Sequence, residues 1–282
     1  MLEMKKIAIQ GRIGSFHDIA SHLFFAGEDV EIICCDTFED LFKEMDRDSN
    51  VLGMMAIENT IAGSLLHNYE LLRESGKVVV GEYKLHIEHS LLCLPGEDLD
   101  DLTEVNSHPV ALMQCRNFLQ RFKGKLKIVE VDDTAGAAEA IHRRQLHGHA
   151  AICSKHVAPL YGMKVLMEAI EDNKHNYTRF LCLCSPERSE EMLAMRKPDK
   201  SSLVFTVPHE KGELSHVLSV LSFYDINMTK IQSLPIIGQE WEYMFYVDAT
   251  FCDYERYRQC IEAIRPLTRN LKILGEYESD KH

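Results

Sequence analysis

The chain of 282 residues has one tryptophan, eight prolines and no apolar run near the roughly 18 residues that a membrane-spanning helix needs. Basic residues are in the minority: 31 Lys and Arg against 44 Asp and Glu give a formal net charge of −13. That balance lacks the basic stripe a nucleic-acid partner requires, so neither nucleic acid nor membrane is expected as a partner. It does not exclude an anionic substrate, because only the local field of a pocket acts on one. The nine cysteines include no Cys-x-x-Cys pair; Cys34 and Cys35 are adjacent, and Cys182 and Cys184 are one residue apart. Most sit in apolar runs, and an odd count without a secretory signal reads as reduced thiols in the cytoplasm. Fourteen histidines are present, yet the pairs His86/His89 and His147/His149 have no Cys or carboxylate at zinc-site spacing, so no metal site is expected. There is no internal repeat, no low-complexity tract and no signal peptide at residues 1–10.

What is present is alternation. Residues 5–10 read as a strand, 11–18 as a glycine-punctuated loop, and a helix follows from about Ile19. A second strand is expected at 31–35, Thr37 as the cap of a helix over 38–46, and an apolar strand at 51–57. After an extended stretch at 77–95, a second set follows: strands at 105–107, 127–131 and 150–154, with helices at 109–122 and 134–144. Residues 165–170 then read as the return to the first unit and 178–184 as its closing strand. The expected fold is α/β and two-lobed, like periplasmic binding proteins, with lobe one at about 1–78 and 168–185, lobe two at about 79–167, and a cleft between them. Residues 186–200 are polar and bracketed by Pro186 and Pro198, a linker composition. Residues 201–282 then read β-α-β-β-α-β, a ferredoxin-like unit.

Small polar groups cluster where strands end. The run Asn176-Tyr177-Thr178-Arg179-Phe180 sets a hydroxyl beside a guanidinium, a pairing suited to removing a hydroxyl from an anionic substrate. Arg179 either clamps a carboxylate or pairs with Glu58 to hold the loops. Gly11 to Phe16 is too poor in glycine for a dinucleotide fingerprint. Asn59 and Thr60 either point into the cleft or cap a helix, with Gly63 close behind. Ser107-His108-Pro109 opens a helix bearing Gln114, and Asp133 to Ala138 opens another; both helix starts offer free amides to an anion.

These stretches, in this order, carry a resemblance. GRIGSF near the start, IENTIAGSLLHNYELL at 57–72, SHPVALMQC at 107–115, DTAGAAEAI at 133–141, AAICS at 150–154 and NYTRF at 176–180 resemble the prephenate dehydratase family. HEKGELSHVL at 209–218 and INMTKIQSLP at 226–235 resemble the ACT regulatory domain that commonly follows it. The resemblance implies a carbon–oxygen lyase that strips carbon dioxide and the ring hydroxyl from prephenate, giving phenylpyruvate without metal or redox cofactor. It implies Thr178 and Arg179 as catalytic residues and Asn59, Thr60, Ser107, His108, Thr134, Asn176, Phe180 and Ser15 as substrate contacts. It further implies a homodimer or homotetramer, with L-phenylalanine bound between paired ACT units near Gly212, Leu214, Asn227, Gln232, Ser233, Leu234 and Pro235. The chain departs from the family pattern at Val110, where Gln is usual, and at Ser15, where Thr is usual. His17 stands in place of a small hydroxyl residue expected to cap the next helix, and Gln232 and Leu234 stand where inhibited members carry Glu and Arg. Arogenate dehydratase and a non-catalytic amino-acid sensor are the alternatives. The absence of a helical extension before Lys5 predicts a monofunctional chain.

Overall fold

The structure, a computed structural model, describes residues 4–194, 197–208, 210–236 and 243–281. Residues 1–3 of the charged start, 195–196 of the expected linker, His209 of the string at 209–218, and Glu242 at an expected strand start lie outside the described residues.

The first lobe is built from β1 (Lys5–Gln10), α1 (Phe16–Phe24), β2 (Val30–Cys35), α2 (Phe38–Arg47), β3 (Leu52–Asn59), the short β4 (Gly63–Ser64), α3 (Leu66–Ser75) and β5 (Val78–His86). The second holds β6 (Ser90–Cys93), β7 (Glu104–Ser107), α4 (Pro109–Gln114), α5 (Arg116–Gln120), β8 (Lys127–Glu130), α6 (Thr134–Arg144), β9 (His149–Cys153), α7 (Val157–Tyr161) and β10 (Lys164–Met167). The chain then re-enters the first sheet as β11 (Tyr177–Cys184), continues as α8 (Pro186–Leu193), and forms a third unit. That unit comprises β12 (Lys200–Thr206), α9 (Glu213–Phe223), β13 (Asn227–Pro235), β14 (Tyr243–Thr250), α10 (Tyr254–Ile264), a single 3-10 turn, and β15 (Arg269–Tyr277).

Strand order in the first sheet is β2-β1-β3-β11-β5 and in the second β10-β6-β9-β7-β8. Three of the expected boundaries shift. Residues 79–86 belong to the first sheet, because β5 pairs antiparallel with β11 along its whole length. Lys164–Met167 stays in the second sheet, antiparallel to β6, where it was expected to return to the first unit. Pro186–Leu193 is a helix, not linker coil: proline opens it, and Met192 and Leu193 pack on the first lobe's cores. The expected helix over 109–122 breaks at Cys115 into α4 and α5.

Caps fix where helices begin, and therefore which groups reach the cleft. Thr37 accepts from the Asp40 N–H at 3.1 Å, as expected. Ser15, not residue 17, caps α1, accepting from Asp18 N–H. Asp133 caps α6 through Gly136 N–H at 2.6 Å, and His108 Nδ1 caps α4 through Val110 N–H at 3.2 Å.

The third unit has the order β13-β14-β12-β15 with both helices against one face, the ferredoxin-like arrangement. Its other face is not free. Val204, Leu234, Tyr246, Leu274 and Tyr277 share one buried cluster with Met55, Ile57, Tyr69, Val79 and Leu181 of the first lobe. At Gly275 the two backbones meet so closely that an added Cβ would stand 2.1 Å from the Val79 carbonyl oxygen. A continuous apolar seam therefore joins the third unit to the sheet that carries β11.

Candidate active site

Between the two lobes lies a cavity of about 510 Å³. Its wall is assembled from the starts of α1, α4, α6 and β11, the end of β3, the loop around β4, and the crossing segment at Ile87 and His89. The polar lining includes Ser15, His17, Asn59, Asn68, His89, His108, Gln114, Asp132, Asp133, Thr134 and Thr178; among the described residues no Lys or Arg lines it.

The amides in this wall have one consistent orientation. Ile61 and Ala62 backbone N–H groups, which can only donate, point at Asn59 Oδ1 at 2.9 and 2.8 Å. Asn59 therefore turns its Nδ2 toward Thr178 Oγ1 at 2.9 Å and Asn176 Oδ1 at 2.8 Å. Gln114 donates Nε2 to Asn59 Oδ1 at 3.2 Å, so its Oε1 accepts from Asn176 Nδ2 at 3.0 Å and from His89 Nε2 at 2.8 Å. The last contact assigns the His89 proton to Nε2. Burial lowers the His89 pKa, against the opposing pull of Gln114 and Glu171, so the ring is neutral at pH 7. Thr178 thus accepts from an amide whose direction is set by backbone. Among the described residues no acceptor takes its O–H, which remains to donate into the cavity.

Sequence reasoning places Thr178, Asn59, Ser15, His108, Thr134 and Phe180 at this cavity, and all six line it. Asn176 is fully buried behind Asn59 and supports the amide chain from outside the lining. Ser107 is also fully buried, its hydroxyl committed to the Ile152 carbonyl at 2.5 Å. Thr60 faces away: it donates to the His175 carbonyl and accepts from Tyr177 N–H.

Arg179 requires a larger correction. Successive strand residues point to opposite faces, so Thr178 facing the cavity turns Arg179 to the third unit. There the buried guanidinium binds Glu82 at 2.5 Å, Asp248, and the Tyr277 hydroxyl at 2.8 Å. Lys200 binds Glu82 at 2.8 and 2.9 Å, and Ser202 donates to Asp248 at 2.5 Å. Burial alone would raise the Asp248 pKa; Arg179 overrules it and holds the carboxyl below the usual range. Neither the carboxylate clamp nor the pairing with Glu58 is found. Glu58 instead meets Lys230 at 2.7 Å.

Residues missed by the sequence reading are Asn68, which donates to the Ala56 carbonyl at 2.6 Å, and His89, considered there only as a metal partner of His86. Gln114, noted in the sequence only as a residue of the helix that Pro109 opens, is the hub of the amide chain.

A second hollow, of about 300 Å³, lies in the third unit and is lined by Gly212, Glu213, Leu214, Glu210, Tyr243 and Phe245, among others. Gly212 precedes α9 at φ 89° with no side-chain cap, which leaves first-turn N–H groups open. Of the expected regulatory residues, Gly212 and Leu214 line this hollow. Gln232 instead meets Ser64 at 3.1 Å on the first lobe, Leu234 is buried in the seam, and Asn227 sits beside Thr250.

No helix among the described residues is long and apolar enough to cross a membrane, and no metal-binding cluster of His, Cys, Asp or Glu occurs among them. The sequence model of prephenate dehydratase matches residues 7–188. Arogenate dehydratase 1 of Petunia hybrida is 36% identical over 292 residues, covering 98% of this chain and 67% of that protein. A bifunctional chorismate mutase/prephenate dehydratase of Buchnera aphidicola is 31% identical over 274 residues, covering 96% and 70%. Among solved structures, GqqA, described as a novel type of quorum-quenching acylase, superposes with a TM-score of 0.85 at 29% identity over 98% of both chains. The prephenate dehydratase of Arthrobacter aurescens, solved with L-Phe, has a TM-score of 0.83 at 23% identity, covering 97% and 89%, which establishes a shared fold. With the motif-bearing lobes, the inter-lobe cavity and these matches in agreement, the chain belongs to the prephenate dehydratase family.

Proposed function

We propose that the chain is a decarboxylating dehydratase acting on prephenate or on arogenate, its counterpart with an amine in place of the side-chain keto group. The carbon–oxygen bond to the ring hydroxyl breaks with its electron pair, and the oxygen leaves as hydroxide held by a hydrogen bond, taking a proton from solvent to become water. The bond to the ring carboxylate breaks as carbon dioxide departs, and its electron pair completes the aromatic ring. The observation that carries this reading is the Thr178 hydroxyl, aimed by Asn59 at 2.9 Å into a cavity between two lobes. An alcohol is too weak an acid to transfer its proton fully, so Thr178 acts as an oriented donor to the leaving oxygen. The amide donating to its oxygen polarises the O–H further.

One observation favours the amino substrate. Among the described residues the lining offers Asp132 and Asp133 and no Lys or Arg, a field that suits the ammonium arogenate carries and prephenate lacks, the two substrates having the same carboxylates. Parallel turnover assays with prephenate and arogenate test both readings. The expected result is product from both with a higher kcat/KM for arogenate; no product from either refutes the activity, and a higher value for prephenate refutes the preference. An acylase reading, taken from GqqA, needs a nucleophile paired with a base. Among the described residues, none of the lining hydroxyls of Ser15, Ser64, Thr134 and Thr178 is hydrogen-bonded to a histidine.

The third unit is proposed to act as an ACT regulatory domain that takes an amino acid such as phenylalanine in its hollow. Open N–H groups at the start of α9 suit the carboxylate, and Glu210 or Glu213 the ammonium. Pairing of two such units into a dimer belongs to the same proposal, as does a cytoplasmic location for a chain whose nine cysteines form no disulfide. Activity that does not respond to millimolar phenylalanine would refute the regulation, and light scattering reads the assembly.

A further inference from the structure

His17 lies in the first turn of α1 and shares the cavity wall with Thr178. Its Nε2 is 3.2 Å from the Ala56 backbone nitrogen. A backbone amide only donates, so Nε2 is the bare nitrogen and the ring proton sits on Nδ1. The amide is available for this contact because the pairing of β3 with β11 slips: Arg179 faces Glu58 but Phe180 faces Ala56, which leaves Ile57 as an extra residue on β3. Such a bulge beside a cavity redirects local groups. The rings of Phe38 and Phe180 stand across the imidazole with centroids 5.5 and 5.0 Å away, which fixes its plane. Burial in this apolar cage lowers the pKa to about 4, so the ring is uncharged near neutrality. Among the described residues Nδ1–H has no acceptor, and it is not among the sealed, unpartnered atoms; it opens to the cavity.

We propose that His17 is a substrate-binding residue whose Nδ1–H is a fixed, uncharged donor to the carboxylate that leaves as carbon dioxide. The assignment rests on the dehydratase reading above. That carboxylate loses its charge in the transition state. A Lys or Arg would hold the charged ground state more strongly than the transition state and so raise the barrier. A neutral N–H orients the group with a smaller such penalty, in keeping with a lining that has no Lys or Arg.

Two variants separate the two ring nitrogens. His17→Gln places an acceptor where Nε2 meets Ala56 but removes the donor; His17→Asn offers a donor at the Nδ1 position and gives up the strand contact. Losing a hydrogen bond to a charged group lowers kcat/KM by about 10- to 100-fold. The expected result is that loss in His17→Gln, with His17→Asn restoring most of the activity. Inhibition by the aromatic product, which lacks the expelled carboxylate, is expected to change less than about twofold in either variant. His17→Gln with wild-type kcat/KM, or with product inhibition weakened as much as turnover, overturns the proposal. Nitrogen-15 spectra of the histidines at pH 7 provide a readout independent of the reaction: Nδ1–H at His17 is expected, and Nε2–H overturns the donor. Wild-type protein inactive on both substrates refutes the activity and the carboxylate assignment with it, while the nitrogen spectrum still decides which atom donates.

Discussion

Replacing Arg179 by Met separates a substrate clamp from a buried structural ion. In the structure the guanidinium touches Glu82, Asp248 and Tyr277 and does not line the cavity. Glu82 would keep Lys200 at 2.8 Å, so Asp248 becomes the stranded charge, hydrogen-bonded to Ser202 and, among the described residues, reached by the Lys200 charge only at longer range. Removing one partner of a buried ion pair costs about 3–5 kcal/mol. With roughly 2–4 °C lost per kcal/mol in a chain of this size, the melting temperature falls by roughly 6–20 °C. Neutralising the stranded anion in the double variant Arg179→Met/Asp248→Asn should recover a good part of the loss, because the two residues act through one network. Calorimetry reads the stability; steady-state kinetics at a temperature where the variant is folded should show KM within about twofold of wild type, as expected when no substrate contact is lost. An unchanged melting temperature together with a tenfold or larger rise in KM would refute the structural assignment and restore the clamp.

Thr178→Val keeps the β-branched shape but removes the donor; kcat is expected to fall by about 10²- to 10⁴-fold with little change in melting temperature, and turnover near the wild-type rate would exclude the role. Gly275→Ala forces a methyl to within 2.1 Å of the Val79 carbonyl, so a drop in thermal stability is expected, of about 1–3 kcal/mol or more. Unaltered unfolding would mean the backbones part easily at that point. His17 has a folded pKa of about 4 against an ordinary 6.5, so the unfolded chain binds the extra proton. Its contribution is complete above pH 6.5 and is lost as pH falls toward 4, at most about 3–4 kcal/mol and less where cavity water reaches the ring edge. Urea unfolding from pH 4 to 7 measures this slope, which should flatten in His17→Phe; an identical slope in the variant would refute the assignment.

Strand and helix positions were largely legible because hydrophobic period, caps and glycines are local signals. Thr37 and Thr134 mark their helix starts as the sequence suggests. The lobe boundary was not legible: whether residues 79–86 pair with β11 or open the second sheet is a non-local choice, and both placements bury the same valines. The motif residues drew attention to Thr178 and Asn59, both of which line the cavity, yet adjacency in sequence misled at Arg179, since neighbours on a strand face opposite ways. Polar spacing likewise does not distinguish a cavity-facing hydroxyl from Ser107, whose oxygen is spent on a carbonyl. Gln114 acquires its role only from three partners brought in from other elements.

The seam at Gly275 has a mechanical meaning. Backbone seated on backbone at Val79 and a shared apolar cluster beneath fasten the third unit to the first lobe's sheet. Strand β11 carries Thr178 on one side and Arg179 on the other, in the same rigid ribbon. Under the regulation proposed above, a ligand in the C-terminal hollow would act on Thr178 as a cam does, through a small displacement along β11 that lengthens or shortens its hydrogen bond with Asn59.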